Sequence, residues 1–211
     1  MKTYKTFKLG NIKTSNLELI DITKSWIVLS LAFTFIFTAI NAFDGGFVKI
    51  LTPSFWIVFV VSLFTAGLGF LLHEMAHKIT AQKYGCAAEF RAFDQMLYLA
   101  LVLAILVGFL FAAPGAVIIT GSITRKENGI ISIAGPATNY ILSLIFLGLG
   151  FLLPPLKFAF MIGFSVNLWL GLFNMIPFLN FDGKKIFDWN KLAWIGMVAF
   201  GILFLFLPAY L

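Results

Sequence analysis

The sequence predicts an all-α polytopic membrane protein of about six hydrophobic segments, with a short membrane-associated β-hairpin or strand between two of them. Three observations carry this expectation. Of the 211 residues, 61% are hydrophobic and 11% are charged, whereas soluble domains carry about 25% charged residues. Apolar runs near the roughly 20 residues needed to cross a bilayer recur along the chain. One stretch, Ala112–Gly121, breaks that pattern with Pro114 and Gly115 followed by the β-formers Val117-Ile118-Ile119-Thr120.

Residues 1–25 are polar and lysine-rich without an apolar core, so no cleavable signal peptide is expected and they form a cytoplasmic N-terminus. The apolar segments then follow as Trp26–Phe43, Phe55–Leu72 running on as a helix through His77, and Met96–Ala113. After the strand, Gly121–Gly129 reads as a turn and a possible second strand, and Ile130–Leu153, Phe158–Phe178 and Leu192–Leu211 complete the set. Neither linker nor repeat divides them, so 1–211 is read as a single membrane domain.

The net charge of +6 is explained by orientation in a bilayer, not by nucleic acid, because cytoplasmic loops collect Lys and Arg. With Lys2, Lys5, Lys8, Lys13 and Lys24 inside, six full crossings leave Lys49, Arg125, Lys126, Lys184, Lys185 and Lys191 outside. If the third segment enters and returns as extended chain, only Lys49 and Lys157 remain outside. The returning path is the better fit, and its strand must be covered by protein or line a wet cavity. An edge there could pair with an unwound peptide. Cys86 is the single cysteine, which excludes an internal disulfide, and its neighbours Gly85 and Ala87 offer no activating base.

Both histidines lie in one motif, His73-Glu74-Met75-Ala76-His77. On a helix, positions i and i+4 share a face, so two imidazoles can grip one zinc ion while Glu74 reaches an attacking water. Burying such groups in an apolar helix is costly unless a metal and its chemistry offset it. A catalytic zinc takes three protein ligands, and without a third histidine the remaining one must be a carboxylate. Asp44 lies across the bilayer from His77 in the returning topology, and Glu89 and Asp94 are expected to pair with Arg91 or Lys83. Asp182 follows an apolar segment broken by Pro177, precedes Gly183, and falls on the side of His73 and His77; Asp188 is the rival, with Lys184 as its alternative partner. Among the amides within the spans, Asn139 either bonds between helices or orients a ligand or a substrate carbonyl, while Asn167 and Asn174 suit interhelical bonding.

The HExxH motif, Gly135-Pro136-Ala137-Thr138-Asn139, and Asn174-Met175-Ile176-Pro177 leading to Asp182-Gly183 together resemble the site-2 protease family of intramembrane zinc metalloproteases, in its short archaeal-type branch. The resemblance covers about Phe55–Asp188, which would be the catalytic core. It implies one zinc per chain held by His73, His77 and Asp182, Glu74 as general base, Asn139 as substrate or oxyanion support, and transmembrane-helix proteins cut within the bilayer as substrates. It also implies that Pro114–Gly129 matches the family's membrane-associated strand region. The chain departs from the family where a proline-rich Leu-Asp-Gly segment is common and Phe178-Leu179-Asn180-Phe181-Asp182-Gly183 stands instead. Two other classes stay open: a divalent-metal transporter using the same four side chains, and an inactive membrane-helix binding protein.

Overall fold

The computed structural model describes residues 5–40, 46–110 and 114–206. Asp44, Lys2 and the segment ends at 41–43, 111–113 and 207–211 lie outside the described residues. The elements in order are β1 (Thr6–Leu9), β2 (Ile12–Ser15), α1 (Asn16–Thr38), a 3-10 turn Gly46–Leu51, α2 (Pro53–Ser62), a π-helical turn Leu63–Gly67 and α3 (Leu68–Lys83). There follow β3 (Ala87–Ala92), α4 (Asp94–Val107), β4 (Gly115–Thr120), α5 (Arg125–Leu152), a 3-10 turn Pro154–Leu156, α6 (Lys157–Phe173), α7 (Asp182–Trp189) and α8 (Lys191–Phe206). The chain forms two compact units, Met1–Leu71 with Glu89–Ile118, and Leu72–Ala88 with Ile119–Leu211.

Among the described residues four helical stretches are long and apolar enough to cross a membrane: Asn16–Thr38, Pro53–Lys83, Arg125–Leu152 and Pro154–Phe173. The apolar helices α4 and α8 are shorter. The 14 residues of α4 rise only about 21 Å, less than the roughly 30 Å hydrocarbon core. Strand β4 pairs with β3, and the Phe93 N–H donates to Pro114 O (2.9 Å). The chain therefore leaves β3 through α4 and comes back to the same sheet. The second strand is thus β3, ahead of α4, and not Gly121–Gly129. That stretch instead starts α5 at Arg125, because Thr124 and Glu127 form a reciprocal capping box that satisfies free N–H groups at the helix start.

In the first unit, α1 begins ten residues ahead of the apolar run at Trp26. Ser15 caps it by accepting the Glu18 N–H (3.2 Å), and the polar residues Glu18, Asp21 and Ser25 turn inward. The buried Glu18 carboxylate accepts from Thr14 Oγ1 (2.6 Å) and from the Phe90 N–H (2.9 Å), so one side chain ties the β1–β2 hairpin to β3. Asp94 pairs with Lys24 instead of the expected Arg91 or Lys83, whereas Arg91 pairs with Glu89. Trp26 Nε1 donates to Leu63 O (2.8 Å) at the π-helical turn. Gly67 in that turn lies directly under the Trp26 ring and the Ser30 hydroxyl.

In the second unit α5 packs along α6, and Tyr140, Phe146, Phe164 and Leu168 form a core with α8 residues Met197, Phe200 and Phe204 at its edge. A side chain at Gly67 has no room, whereas Gly148 faces open space. Gly67→Val is expected to destabilise the protein by about 1–3 kcal/mol through overpacking. Gly148→Ala should leave the thermal midpoint in detergent unchanged or slightly raised, and the two midpoints measured side by side check the contrast.

Candidate metal centre

All donors of the centre belong to the second unit. His73 and His77 project from α3 on one face, and Asp182 is the first residue of α7. His77 Nε2 lies 3.0 Å from His73 Nε2, and Asp182 Oδ2 lies 2.9 Å from His77 Nε2 and 3.3 Å from His73 Nε2. Asp188 is held away by Lys184, its partner one turn earlier. The side chains are enclosed, with His73 5%, Glu74 8%, His77 7% and Asp182 7% exposed.

The outer nitrogen of each imidazole faces an acceptor. His77 Nδ1 lies 2.7 Å from Ile131 O, and His73 Nδ1 lies 2.6 Å from Asn139 Oδ1. Each Nδ1 therefore carries the proton, and in the neutral ring Nε2 is left as a lone pair. Two lone pairs and a carboxylate oxygen thus converge. A proton could satisfy one of the contacts between them; a divalent cation satisfies all three donors. Zinc bonds of 2.0–2.1 Å in tetrahedral geometry set ligand atoms about 3.3 Å apart, close to the separations found, so these residues fit the metal.

Local sequence explains how the donors reach this point. A Cβ on Gly135 would strike the rings of both His77 and His73, so only glycine lets α5 pass this close. Pro136 has no N–H for the carbonyl one turn back and crowds that turn; next to it Ile131 O is turned to His77. On the other flank, the Gly183 N–H donates to Asn174 O (2.7 Å), and Trp194 Nε1 donates to Met175 O (2.7 Å). A Cβ on Gly183 would overlap the Met175 backbone. The loop from Asn174 to Phe181 is thereby tied at both ends, with Leu179 in the left-handed region at φ +48°, and it delivers Asp182 to the imidazoles.

One amide departs from the role expected of it and another takes a role that was expected. Asn174 bonds within its own helix, Nδ2 donating to Leu170 O (2.8 Å), where the end of α6 leaves carbonyls open. Asn139 presents its oxygen to His73 and donates from Nδ2 to Asn167 Oδ1 (3.1 Å), so it serves a ligand in this structure. Sequence reasoning did not find Ile131, whose contribution is a backbone atom, nor Trp194. Lys185 Nζ lies 3.5 Å from the outer oxygen of Asp182. It also lines a polar cavity of about 370 Å³ with Ile123, Thr124, Arg125, Asn128 and Asp188.

A two-histidine, one-carboxylate centre on an HExxH helix, enclosed by helices apolar enough for a bilayer, defines a helical membrane metalloprotein. A curated protein of Methanocaldococcus jannaschii named "Putative zinc metalloprotease" is 40% identical to it over 185 residues, which cover 85% of this chain and 88% of that protein. The chain belongs to this zinc metalloprotease family. No family profile matches it, and no solved structure matches it.

The close approach of α5 supplies a test. Gly135→Ala is expected to weaken zinc binding by about 10–100-fold, the range seen when groups around metal ligands are disturbed. Competition with a chromophoric chelator measures it, with Gly196→Ala as control because nothing lies near that site.

Proposed function

We propose that this chain is a zinc-dependent intramembrane endoprotease of the site-2 protease type, hydrolysing peptide bonds within or near the transmembrane helices of membrane-protein substrates. The observation that carries the reading is the convergence of His73, His77 and Asp182 beside Glu74 in a unit whose helices α5 and α6 are long and apolar enough to cross a bilayer. Membership of a zinc metalloprotease family supports hydrolysis; the apolar setting supports a substrate that shares the bilayer. The charge distribution supports a multi-pass cell-membrane protein with a cytoplasmic N-terminus and a returning third segment.

When bound, zinc acts as a Lewis acid toward the scissile carbonyl and the attacking water. His73 and His77 would hold the ion as neutral donors, and Asp182 would contribute one negative charge. Glu74 takes a proton from water as its oxygen attacks the carbonyl carbon, then passes it to the leaving amide nitrogen as the C–N bond breaks. Lys185 lines the polar cavity and lies 3.5 Å from Asp182, which supports entry of water from that side. A substrate helix has to unwind first, because its own hydrogen-bonded turns shield the peptide bond; Gly or Pro in the substrate makes this easier.

The proposal has a direct test in detergent-purified protein. Glu74→Gln is expected to retain about one zinc per chain while cleavage of a model transmembrane substrate falls by about 100-fold or more, the usual weight of a general base. His73→Ala should lose both zinc and cleavage. Undiminished proteolysis in Glu74→Gln would overturn the role of Glu74. Zinc-dependent ion flux in vesicles without any cleavage would favour a metal transporter.

A further inference from the structure

The two imidazoles are oriented by acceptors of different kinds. Ile131 offers His77 a carbonyl oxygen, which can only accept. Asn139 offers His73 a side-chain amide, and an amide has two ends. Rotated by 180°, it would turn its NH2 toward His73 Nδ1, which would then have to accept. The ring proton would move to Nε2, into the space where the metal donors converge. Something must therefore select the oxygen-inward orientation, and the surroundings of Asn139 contain the selector.

Asn139 Nδ2 donates to Asn167 Oδ1 (3.1 Å), and Asn167 Nδ2 donates to Gly163 O (2.9 Å). Both amides are fully buried, where a mismatched polar contact costs the most. The direction of this chain is set at its far end. Gly163 O is a backbone carbonyl on α6 and cannot rotate or donate, so Asn167 must present its NH2 there and its oxygen to Asn139. Asn139 must in turn present its NH2 to Asn167 and its oxygen to His73. Reversing either amide sets two oxygens, or two NH2 groups, against each other. We propose that Asn167 is a positioning residue of the metal centre: anchored on Gly163 O, it fixes the orientation of Asn139 and so keeps the His73 proton on Nδ1 and the Nε2 lone pair toward the metal.

This inference rests on the proposed metal centre but not on proteolysis, and its readout is zinc affinity. Asn167→Leu removes the selector and is expected to weaken zinc binding about tenfold, at the lower end of effects for groups behind metal ligands. Asn167→Asp, with the proton of its buried acid donated to Gly163 O, still presents an acceptor to Asn139, so it should stay within about threefold of wild type. The decisive variant adds Asn139→Asp to Asn167→Leu. A carboxylate has two equivalent oxygens and needs no selector, so the double variant should bind zinc as tightly as Asn139→Asp alone. A residue that merely packs between helices would weaken zinc binding equally in the Asn139 and the Asp-substituted backgrounds.

Wild-type affinity in Asn167→Leu, or a double variant that binds zinc about tenfold more weakly than Asn139→Asp alone, would overturn the proposal. If Asn167→Leu does not fold, Asn167→Asp decides alone, and a folded Asn167→Asp protein with tenfold weaker zinc binding would overturn it. A wild-type chain that binds zinc but cuts no substrate would end the protease reading and leave this test intact.

Discussion

Two imidazole lone pairs and a carboxylate oxygen about 3 Å apart, shut away from water, repel one another unless positive charge lies between them. Much of the second unit follows from that requirement. The glycine at 135 exists so that α5 can lie against the rings, and the glycine at 183 so that α7 can begin hard against the Met175 backbone. The acceptors behind the rings, Ile131 O and Asn139 Oδ1, keep the outer nitrogens protonated and the inner ones bare. Remove the central charge and the same contacts turn from attraction into repulsion, which is why the arrangement suits a metal ion.

The sequence disclosed the chemistry of this centre better than its supports. His73 and His77 were legible because helical spacing alone places i and i+4 on one face, and Asp182 because the chain has no third histidine and few carboxylates near an apolar segment. Gly135 stood in view within its motif, but its purpose is steric and appears only once the rings are placed above it. Ile131 could not be read at all, since a carbonyl oxygen has no residue type. The helix starts were misjudged for a related reason. Apolar content marks the middle of a span, whereas Ser15 and Thr124 start α1 and α5 by capping, and Glu18 and Asp21 are drawn inward by partners distant in sequence.

Polar residues within the apolar helices fall into two physical kinds. The hydroxyls of Ser30, Thr34, Thr65, Thr80 and Thr138 all donate to the carbonyl one turn earlier in the same helix. These hydrogen bonds are made within the residue's own helix. Asn139, His73 and His77 instead bond across helices, where the partner must be in the right place and the right orientation. Bonds of this second kind couple the helices to the chemistry; the first kind only keeps polar atoms comfortable in an apolar setting.

The order of the donors along the chain has its own consequence. His73 and His77 lie in the first half of the sequence, whereas Asp182 is the first residue of α7, close to the C-terminal end. During synthesis the two histidines leave the ribosome more than a hundred residues before the carboxylate that completes their triangle. A partly made chain has two donors and no third, so the centre is born inert and matures only after α5 and α6 have been built. The connectivity of the chain thereby writes a delay into the assembly of the centre.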